Sequence, residues 1–502
     1  MISLGTDLGM GQPMEHVMRQ SLIALRLAER LGLDDASRAV VYYVGLIAWV
    51  GCHVDAYEQA KWFGDDQELK NDARHVDMSG VAARAFILSH VGAGRGLMKR
   101  ARLSVEFVGD GRRAANEMIA NHWAATNELA AQLGLDDKVR ESLYQTFERW
   151  DGKGVPAEAK GEEILVPARL VNLADVVEVY HRNGGVDAAI AVARERSGSQ
   201  FDPALVDIFC EDAPLLFSDI DSLTTWPAVI DAEPALEIVL SEEELESALE
   251  AIADFTDLKS PWTIGHSRGV ADLACAATKV YGLSDDEAKL VRRAGLVHDL
   301  GRLGVSNAIW DKRGPLTAAE IERVRLHPYL TERMLASSDA LASVGAIAVQ
   351  HHERLDGSGY PRGLSGDGLT PAGRILAAAD AYHAMTEPRP HRNALAVEEA
   401  AAELRSGVRQ ALFDGRAVEA VLSAAGHPVK RRREWPGGLT SREIEVLRLL
   451  VRGLSNKEIA EQLVISRKTA GSHVEHIYSK IGVSNRAQAS LFAIKHGLMT
   501  GE

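Results

Sequence analysis

Histidine and aspartate stand side by side in Leu296-Val297-His298-Asp299-Leu300-Gly301, where an apolar run ends. Such a pair offers an imidazole nitrogen and carboxylate oxygens to one point. That donor set suits a hard-to-borderline divalent metal, and the carboxylate can bridge two of them. Alone the pair is weak evidence. Its weight comes from its downstream neighbours, all within roughly one small domain's length: His327, His351-His352, the run Asp356-Gly357-Ser358-Gly359-Tyr360-Pro361, and Asp380. Imidazoles with carboxylates suit Fe or Mn, and two such ions close together clamp the attacking and leaving oxygens of a phosphodiester and acidify the attacking water. His327 or His352 taken singly reads as a core or surface histidine; the ordered set points to a metal centre. His383, His391 and His427 have no comparable support as ligands.

The elements that must position these groups are helices. Glu15 to Leu31 places Met18, Leu22, Leu25 and Leu31 at helical spacing, ended by Gly32. Ala36 to Val50 predicts a second, strongly apolar helix. From Tyr57 to Gly111 the text is polar and glycine-punctuated. Gly92-Ala93-Gly94-Arg95-Gly96 has no preceding strand and no following Gly-Lys-Ser/Thr, so it reads as a loop and not a phosphate cradle. Helical patterns resume at Ala114 and continue to Trp150. Strand signals are sparse throughout, and the fold class is mainly α.

An internal repeat organises the first four hundred or so positions. Gly295 to Gly301 aligns with Gly45-Leu46-Ile47-Ala48-Trp49-Val50-Gly51 at an offset of 250 (295 against 45), which also sets His266 over His16 and Gly282 over Gly32. Further on, Glu353 to Pro361 aligns with Glu148-Arg149-Trp150-Asp151-Gly152-Lys153-Gly154-Val155-Pro156 at an offset of 205 (353 against 148). That second offset pairs His327 with His122, Arg374 with Arg169 and Asp380 with Asp175. The first copy therefore carries an insertion of 45 residues (250 against 205), mostly within 55–115. His298 and Asp299 become Ala48 and Trp49 there, and His351-His352 become Thr146-Phe147. His16, His122 and Asp175 remain, too few to hold a metal pair. The first copy is expected to be structural, a sensor or a dimerisation surface, and not catalytic.

Composition bounds the rest. At 502 residues the chain holds two to four domains. Its formal charge of −15 argues against nucleic-acid binding by the molecule as a whole. Cys52, Cys210 and Cys275 are scattered, as reduced thiols would be. Met1 to Pro13 lacks a basic-then-apolar leader, and no uncharged run reaches about 18 residues. A cytoplasmic protein without a membrane span is expected. Residues 213–240, with Pro214, Pro227 and Pro234, read as a connector. Ser241-Glu242-Glu243-Glu244 then opens a helix with a hydroxyl cap and acids in its first turn, ending near Asp257. The resulting division is 1–212, 213–258, 259–428, a basic linker at 429–438, and 439–502.

Residues 259–428 resemble an HD-GYP domain, the branch of the HD phosphohydrolase superfamily that hydrolyses cyclic di-GMP. The resemblance rests on Thr263-Ile264-Gly265-His266, His298-Asp299, His327-Pro328, His351-His352-Glu353, Gly359-Tyr360-Pro361, Ala379-Asp380-Ala381 and Arg389-Pro390-His391-Arg392, all in the family's order. It implies that His266, His298, Asp299 and Asp380 hold one metal, and that Asp299 bridges to a second held by His327, His351 and His352. It further implies that Tyr360, between Gly359 and Pro361, lines the pocket lip and meets a guanine, and that Arg389 and Arg392 anchor phosphate or loop. Two departures stand out. Arg302 replaces the lysine that many members use toward substrate phosphate, keeping the charge with another geometry. Trp262 stands where some members place a glutamate for a third metal, so two are expected.

After Lys430-Arg431-Arg432-Arg433 the composition changes sign. From Lys430 to the end, 13 Lys/Arg and 7 Asp/Glu give +6, leaving −21 on the remainder of the −15 chain. A small basic module on an acidic body is the footprint of a nucleic-acid-binding domain. Thr440-Ser441-Arg442-Glu443 and Ser455-Asn456-Lys457-Glu458 are capping boxes opening two helices. Ser466 caps a third helix reaching Lys480, and Ser484 opens a fourth with Ala487, Leu491 and Ile494. This stretch resembles the LuxR-type helix-turn-helix on Gly453-Leu454-Ser455-Asn456-Lys457-Glu458-Ile459-Ala460, Ile465-Ser466, Lys480-Ile481-Gly482-Val483 and Asn485-Arg486. The resemblance implies that the third helix enters the major groove of double-stranded DNA and that the fourth supports a homodimer. Lys457, Arg467, Lys468, Thr469 and Lys480 would touch phosphates; Gly471, Ser472 and Glu475 would face the bases.

Together these features predict a DNA-binding regulator. A degenerate HD-like domain is joined to a two-metal HD-GYP domain that binds and hydrolyses cyclic di-GMP or a related cyclic dinucleotide. Two alternatives compete: a cyclic-dinucleotide sensor without turnover, and a phosphohydrolase for another nucleotide.

Overall fold

The computed structural model describes residues 1–156, 158–234, 240–428 and 435–498, with the side chains of 108–112, 114–116 and 441 excepted. Its described residues form helices and isolated bridges without a strand. The chain divides into two units, 1–427 and 428–502. No single described helix is long and apolar enough to cross a membrane. The basic run 430–433 lies outside the described residues.

Within the larger unit the two copies share one plan. His16–Arg30 matches His266–Tyr281, Asp35–Ile47 matches Asp285–Val297, and each is followed by a 3-10 turn, Val50–His53 or Leu300–Gly304. Local chemistry sets these boundaries. Asp34 caps the first of the apolar pair by accepting from Ser37 N, and Ser284 forms a capping box with Glu287 at the other. Asp7 accepts from Val17 N as Asp257 accepts from Ser267 N, fixing the entry to each histidine-bearing helix. Glu148 and Glu353 each hold the loop after them through two backbone amides, Glu158 and Ala159 in one copy, Arg362 and Leu364 in the other. Gly51 and Gly301 allow a close crossing: a Cβ there would lie 2.3 Å from His122 O and 1.9 Å from His327 O. One hydrophobic core runs through both copies, from Val17, Ile23 and Phe209 to Leu296, Leu300 and Ile375.

The insertion is more ordered than its composition predicts. Residues 57–111, polar and glycine-punctuated, contain most of Ala56–Phe63, then Asp66–Ala73, Gly80–His90 and the start of Leu97–Gln132. The helix expected from Ala114 therefore begins at Leu97, and Asp137–Tyr144 comes after it. These helices are short or polar, with few apolar residues per turn, so periodicity gives little signal. Asp65 starts one by accepting from Gln67 N and Glu68 N, and Trp62, Phe63, Val91 and Leu103 form a small core of their own. Gly92 to Gly96 is a loop. The expected connector is helical in part, since Pro214 lies within Pro203–Leu216 and Pro227 within Thr225–Asp231. Glu242–Asp257 comes next, with its Ser241/Glu244 capping box.

The insertion also touches the second copy. Asp66 accepts from Ser306 Oγ at 2.7 Å and Asn307 N at 2.8 Å, and Gln67 Nε2 donates to Leu303 O at 3.1 Å. The 3-10 turn that carries Arg302 is thus held from the other copy.

In the smaller unit, Ser441–Val451, Asn456–Leu463, Arg467–Ile481 and Arg486–Lys495 pack around Ile444, Leu447, Ile459, Ala470 and Ile477. Thr440 and Ser455 form the two capping boxes, and Ser466 caps the third helix. The fourth is capped by Asn485, one residue beyond the expected Ser484. Its core face is Ala489 and Ala493, while Leu491 and Ile494 are exposed at 66% and 62%. Leu491 and Ile494 thus form an outer apolar face of this helix.

Candidate metal centre and nucleic-acid interface

Helix starts, helix ends and one helix interior bring the predicted ligands together. His266 opens His266–Tyr281, His298-Asp299 closes Asp285–Val297, His327 opens His327–Leu335, His351-His352 comes after Asp339–Ala348, and Asp380 lies within Pro371–Thr386. All but the half-buried His352 are buried. The Asp299 carboxylate is divided between two groups. Its Oδ1 lies 3.3 Å from His327 Nε2 and 3.7 Å from His351 Nε2, while Oδ2 lies 3.7 Å from His298 Nε2 and 3.9 Å from His266 Nε2. Asp380 Oδ1 closes one group at 3.3 Å from His266 Nε2, and its Oδ2 faces His352 Nδ1 at 3.9 Å.

The protonation pattern fits a cation. Nδ1 of His298, His327 and His351 each donates to the backbone carbonyl three residues back, Gly295, Val324 and Ala348, at 2.7, 2.6 and 2.6 Å. That fixes the tautomer and turns each Nε2 lone pair inward. His327 Nε2 and His351 Nε2 then face each other at 3.0 Å, two lone pairs that repel unless they share a cation. Two bonds of about 2.1 Å at a right angle span about 3 Å, so the spacing suits one ion. His298 Nε2 is buried with no hydrogen-bond partner, as an atom reserved for a metal would be.

Electrostatics agree. Burial pushes the His298, His351 and His352 imidazoles down, His351 to about 3, keeping them neutral as ligands must be. Burial would push the Asp299 carboxyl up, but Arg302 and the surrounding imidazoles hold it well below the carboxylate range. His266 differs. Burial lowers it, yet hydrogen bonds to Asp380 and Glu387 outweigh that and raise it to about 9.

The remaining predicted residues surround or brace this centre. Arg302 Nη1 lies 3.0 Å from Asp299 Oδ2, and its guanidinium stacks on the Trp310 ring at 3.9 Å. A lysine would not make that planar contact. Tyr360 leans on His352 with ring centroids 4.8 Å apart, beside Gly359 and Pro361 at the mouth of the site. Burial keeps its phenol protonated. Arg389 donates to Trp262 O at 3.2 Å and to Glu387 Oε2 at 2.8 Å. Arg392 donates to the carbonyls of Ala384, Met385, Glu387 and Asn393. Of the two roles expected for Arg392, these contacts fill loop anchoring.

One neighbour of the site, Glu387, escaped sequence reasoning, and His383, which the sequence did not support as a ligand, stands beside it. Glu387 lies 2.9 Å from His266 Nδ1 and 3.3 Å from His383 Nδ1, and these three are close enough to share an ion. His383 seats against Gly269, where a Cβ would lie 1.9 Å from its Nε2. The available signal was spacing: Glu387 falls one helical turn after His383 and two after Asp380.

The matching place in the first copy is filled by protein. His16 bonds Glu178 through Nδ1 and Asp175 through Nε2, the latter at 3.0 Å. Arg74, from the insertion, donates to Asp175 Oδ1 at 3.0 Å and lies over the Trp49 ring at 5.7 Å. A fixed guanidinium thus neutralises the carboxylate that in the second copy faces the histidines.

On the smaller unit, Arg467, Lys468, Thr469, Ser472 and Glu475 are exposed along Arg467–Ile481, with Gly471 half-buried. Lys457 is exposed on the preceding helix. Lys480 is different: its Nζ lies 2.8 Å from Glu443 Oε2, so its charge is already paired inside the unit.

A family model described as "HD domain" matches residues 111–205 and 250–417, and one described as "Bacterial regulatory proteins, luxR family" matches 438–493. The chain is 31% identical to 3'3'-cGAMP-specific phosphodiesterase 3 of Vibrio cholerae over 418 residues, covering 82% of this chain and 91% of that one. It is 33% identical to the cyclic di-GMP phosphodiesterase response regulator RpfG of Xanthomonas campestris pv. campestris, covering 36% of this chain and 48% of that one. Among solved structures, the cyclic GMP-AMP specific phosphodiesterase V-cGAP3 of V. cholerae superposes with a TM-score of 0.57 at 27% identity, covering 85% of this chain and 96% of that chain.

Proposed function

This chain belongs to the HD-GYP phosphodiesterases, metal-dependent hydrolases of the HD superfamily, with a LuxR-type DNA-binding domain at its C-terminal end, and we propose that it is a transcriptional regulator that hydrolyses a cyclic dinucleotide. The observation that carries the reading is the divided Asp299 carboxylate, one oxygen toward His327 and His351 and the other toward His298 and His266. His266, His298, Asp299 and Asp380 would hold one divalent ion, and Asp299, His327, His351 and His352 a second; Fe or Mn suits both donor sets. When bound, the pair supplies Lewis acidity to the phosphodiester and acidifies a water.

The chain's own groups supply the rest. Arg302, clamped between Trp310 and Asp299, keeps further guanidinium N–H donors for a phosphate oxygen. Tyr360, a neutral phenol at the lip, offers a ring face and a hydroxyl to a purine. The substrate class follows from the relatives, which are named for 3'3'-cGAMP and for cyclic di-GMP. In the DNA-binding unit, exposed Arg467 and Lys468 suit phosphates and Ser472 and Glu475 face outward beside them. Exposed Leu491 and Ile494 offer a surface for a second copy. A homodimer would set the spacing of two recognition helices, through which ligand occupancy could govern operator binding.

The test is hydrolysis of cyclic di-GMP and 3'3'-cGAMP by protein prepared anaerobically with Fe or Mn, beside a His298→Ala/Asp299→Ala double variant. Linear dinucleotide or mononucleotide products that vanish in the variant support the reading. One observation favours a second reading, a sensor without turnover: Arg302 holds the Asp299 oxygen that a metal would need. Tight binding without product, with either metal, would select that reading.

A further inference from the structure

We propose that the first copy binds a small aromatic molecule carrying a positive charge, in a cavity at the position where the second copy has its tyrosine lip. The cavity measures about 920 Å³ and lies between the helices Leu97–Gln132 and Asp137–Tyr144 and the loop ending at Val155-Pro156. That is within the ~300–1,000 Å³ typical of small-molecule sites.

Its origin is visible in the repeat. At the offset of 205, Val155 stands for Tyr360, Ala120 for Arg325 and Phe147 for His352. In the second copy Tyr360 lies against His352 at 4.8 Å and the Arg325 guanidinium covers the tyrosine ring at 5.8 Å. A ring and a cation occupy that space there. In the first copy Val155 and Ala120 are too short to do so, and the room is left between walls that still suit a ring beneath a cation.

The walls choose the ligand. Trp123 meets Tyr144 edge-on at 4.9 Å, and Phe147 meets His122 at 4.8 Å, so aromatic surface lines much of the cavity. Arg140 is the one guanidinium or ammonium among the lining residues, and it is tied to Asp137 and Asn127, each at 2.9 Å. His122 is neutral, since burial pushes its imidazole down to about 4. Glu141 also lines the cavity and makes no ion pair among the described residues. A phosphate or carboxylate would find no unpaired cation here, whereas an ammonium would find Glu141 and the rings of Trp123, Tyr144 and Phe147.

Two probes with the same ring and opposite charge test this in the full chain: tryptamine and indole-3-acetate, each measured by calorimetric titration. Tryptamine is expected to bind with a Kd of about 1 mM or tighter, and indole-3-acetate at least about tenfold more weakly. Glu141→Gln should abolish that preference. Val155→Tyr, which restores the second copy's residue, should abolish binding. Ala120→Arg, at an exposed helical position, does the same job if circular dichroism shows that Val155→Tyr is unfolded. No tryptamine binding up to about 10 mM, equal binding of the anion, or binding that survives a folded blocking variant would each overturn the proposal. None of these outcomes depends on phosphodiesterase activity, so the two readings fail separately.

Discussion

Glu387 Oε2 lies 2.9 Å from Nδ1 of His266, whereas His298, His327 and His351 direct Nδ1 at backbone carbonyls. A carboxylate on the far nitrogen fixes the ring and makes it a more basic ligand. The first copy does the same with Glu178 on His16, but Glu178 corresponds to His383 at the offset of 205, so the acid has moved one turn along the helix. Glu387→Gln is therefore expected to weaken metal binding by about ten- to a hundredfold. Chelator competition reads this directly, without turnover. An unchanged affinity would make Glu387 a bystander.

Arg302 and a metal would contend for one oxygen. Replacing Arg302 with alanine removes the cation 3.0 Å from Asp299 Oδ2. Metal affinity should then rise while kcat/KM falls, each by about tenfold, the worth of one charge-assisted hydrogen bond. Arg302→Lys should keep more of the activity than alanine but lose the Trp310 contact. If both quantities fall together, the residue is serving the fold and not the substrate.

Arg74 is the buried counter-charge of Asp175 in the first copy. Arg74→Met leaves that carboxylate facing His16 alone, and loss of one partner of a buried pair costs about 3–5 kcal/mol. A clear fall in the urea midpoint is expected. Stability within error of the parent would show that His16 suffices.

His16 also predicts a pH dependence. Burial lowers its pKa, but Glu178 and Asp175 raise it to about 9 in the folded chain, from 6.5 when free. The folded state thus holds a proton that the unfolded state releases. Its stabilisation is complete below about pH 6.5 and is lost as pH rises through 9, by a few kcal/mol at most. Urea midpoints between pH 6 and 9.5 should fall with a slope that His16→Gln lessens, His266, likewise raised to about 9, supplying part of the remainder. A slope unchanged in the variant would assign the effect to other groups.

On DNA, Arg467→Ala should weaken binding across sequences and reduce the salt slope by about one. Lys480→Ala should change the slope little and instead lower the thermal midpoint of the unit, because Lys480 neutralises Glu443. Equal salt effects from both would place Lys480 on phosphate after all.

Much was legible along the chain because it is locally written. Capping residues, apolar spacing and the two offsets of 250 and 205 predicted where matching helices begin; His298, Asp299, His327, His351, His352 and Asp380 follow from residue type and order, and His266 joins them through the family resemblance. Tertiary structure decided what depends on pairing across long separations and on helix rotation. Arg74 reaches Asp175 from 101 residues away, and Glu387 reaches His266 from 121. Arg392 is committed to four carbonyls, Lys480 to Glu443, and Leu491 with Ile494 to solvent. No local pattern distinguishes these outcomes, since an arginine has the same composition whether it meets a carbonyl or a phosphate. An apolar stripe likewise has the same period on either side of a helix. The sequence alone thus determined the order of the elements and the candidate ligands; packing decided which charges are already answered within the protein and which remain free for a ligand.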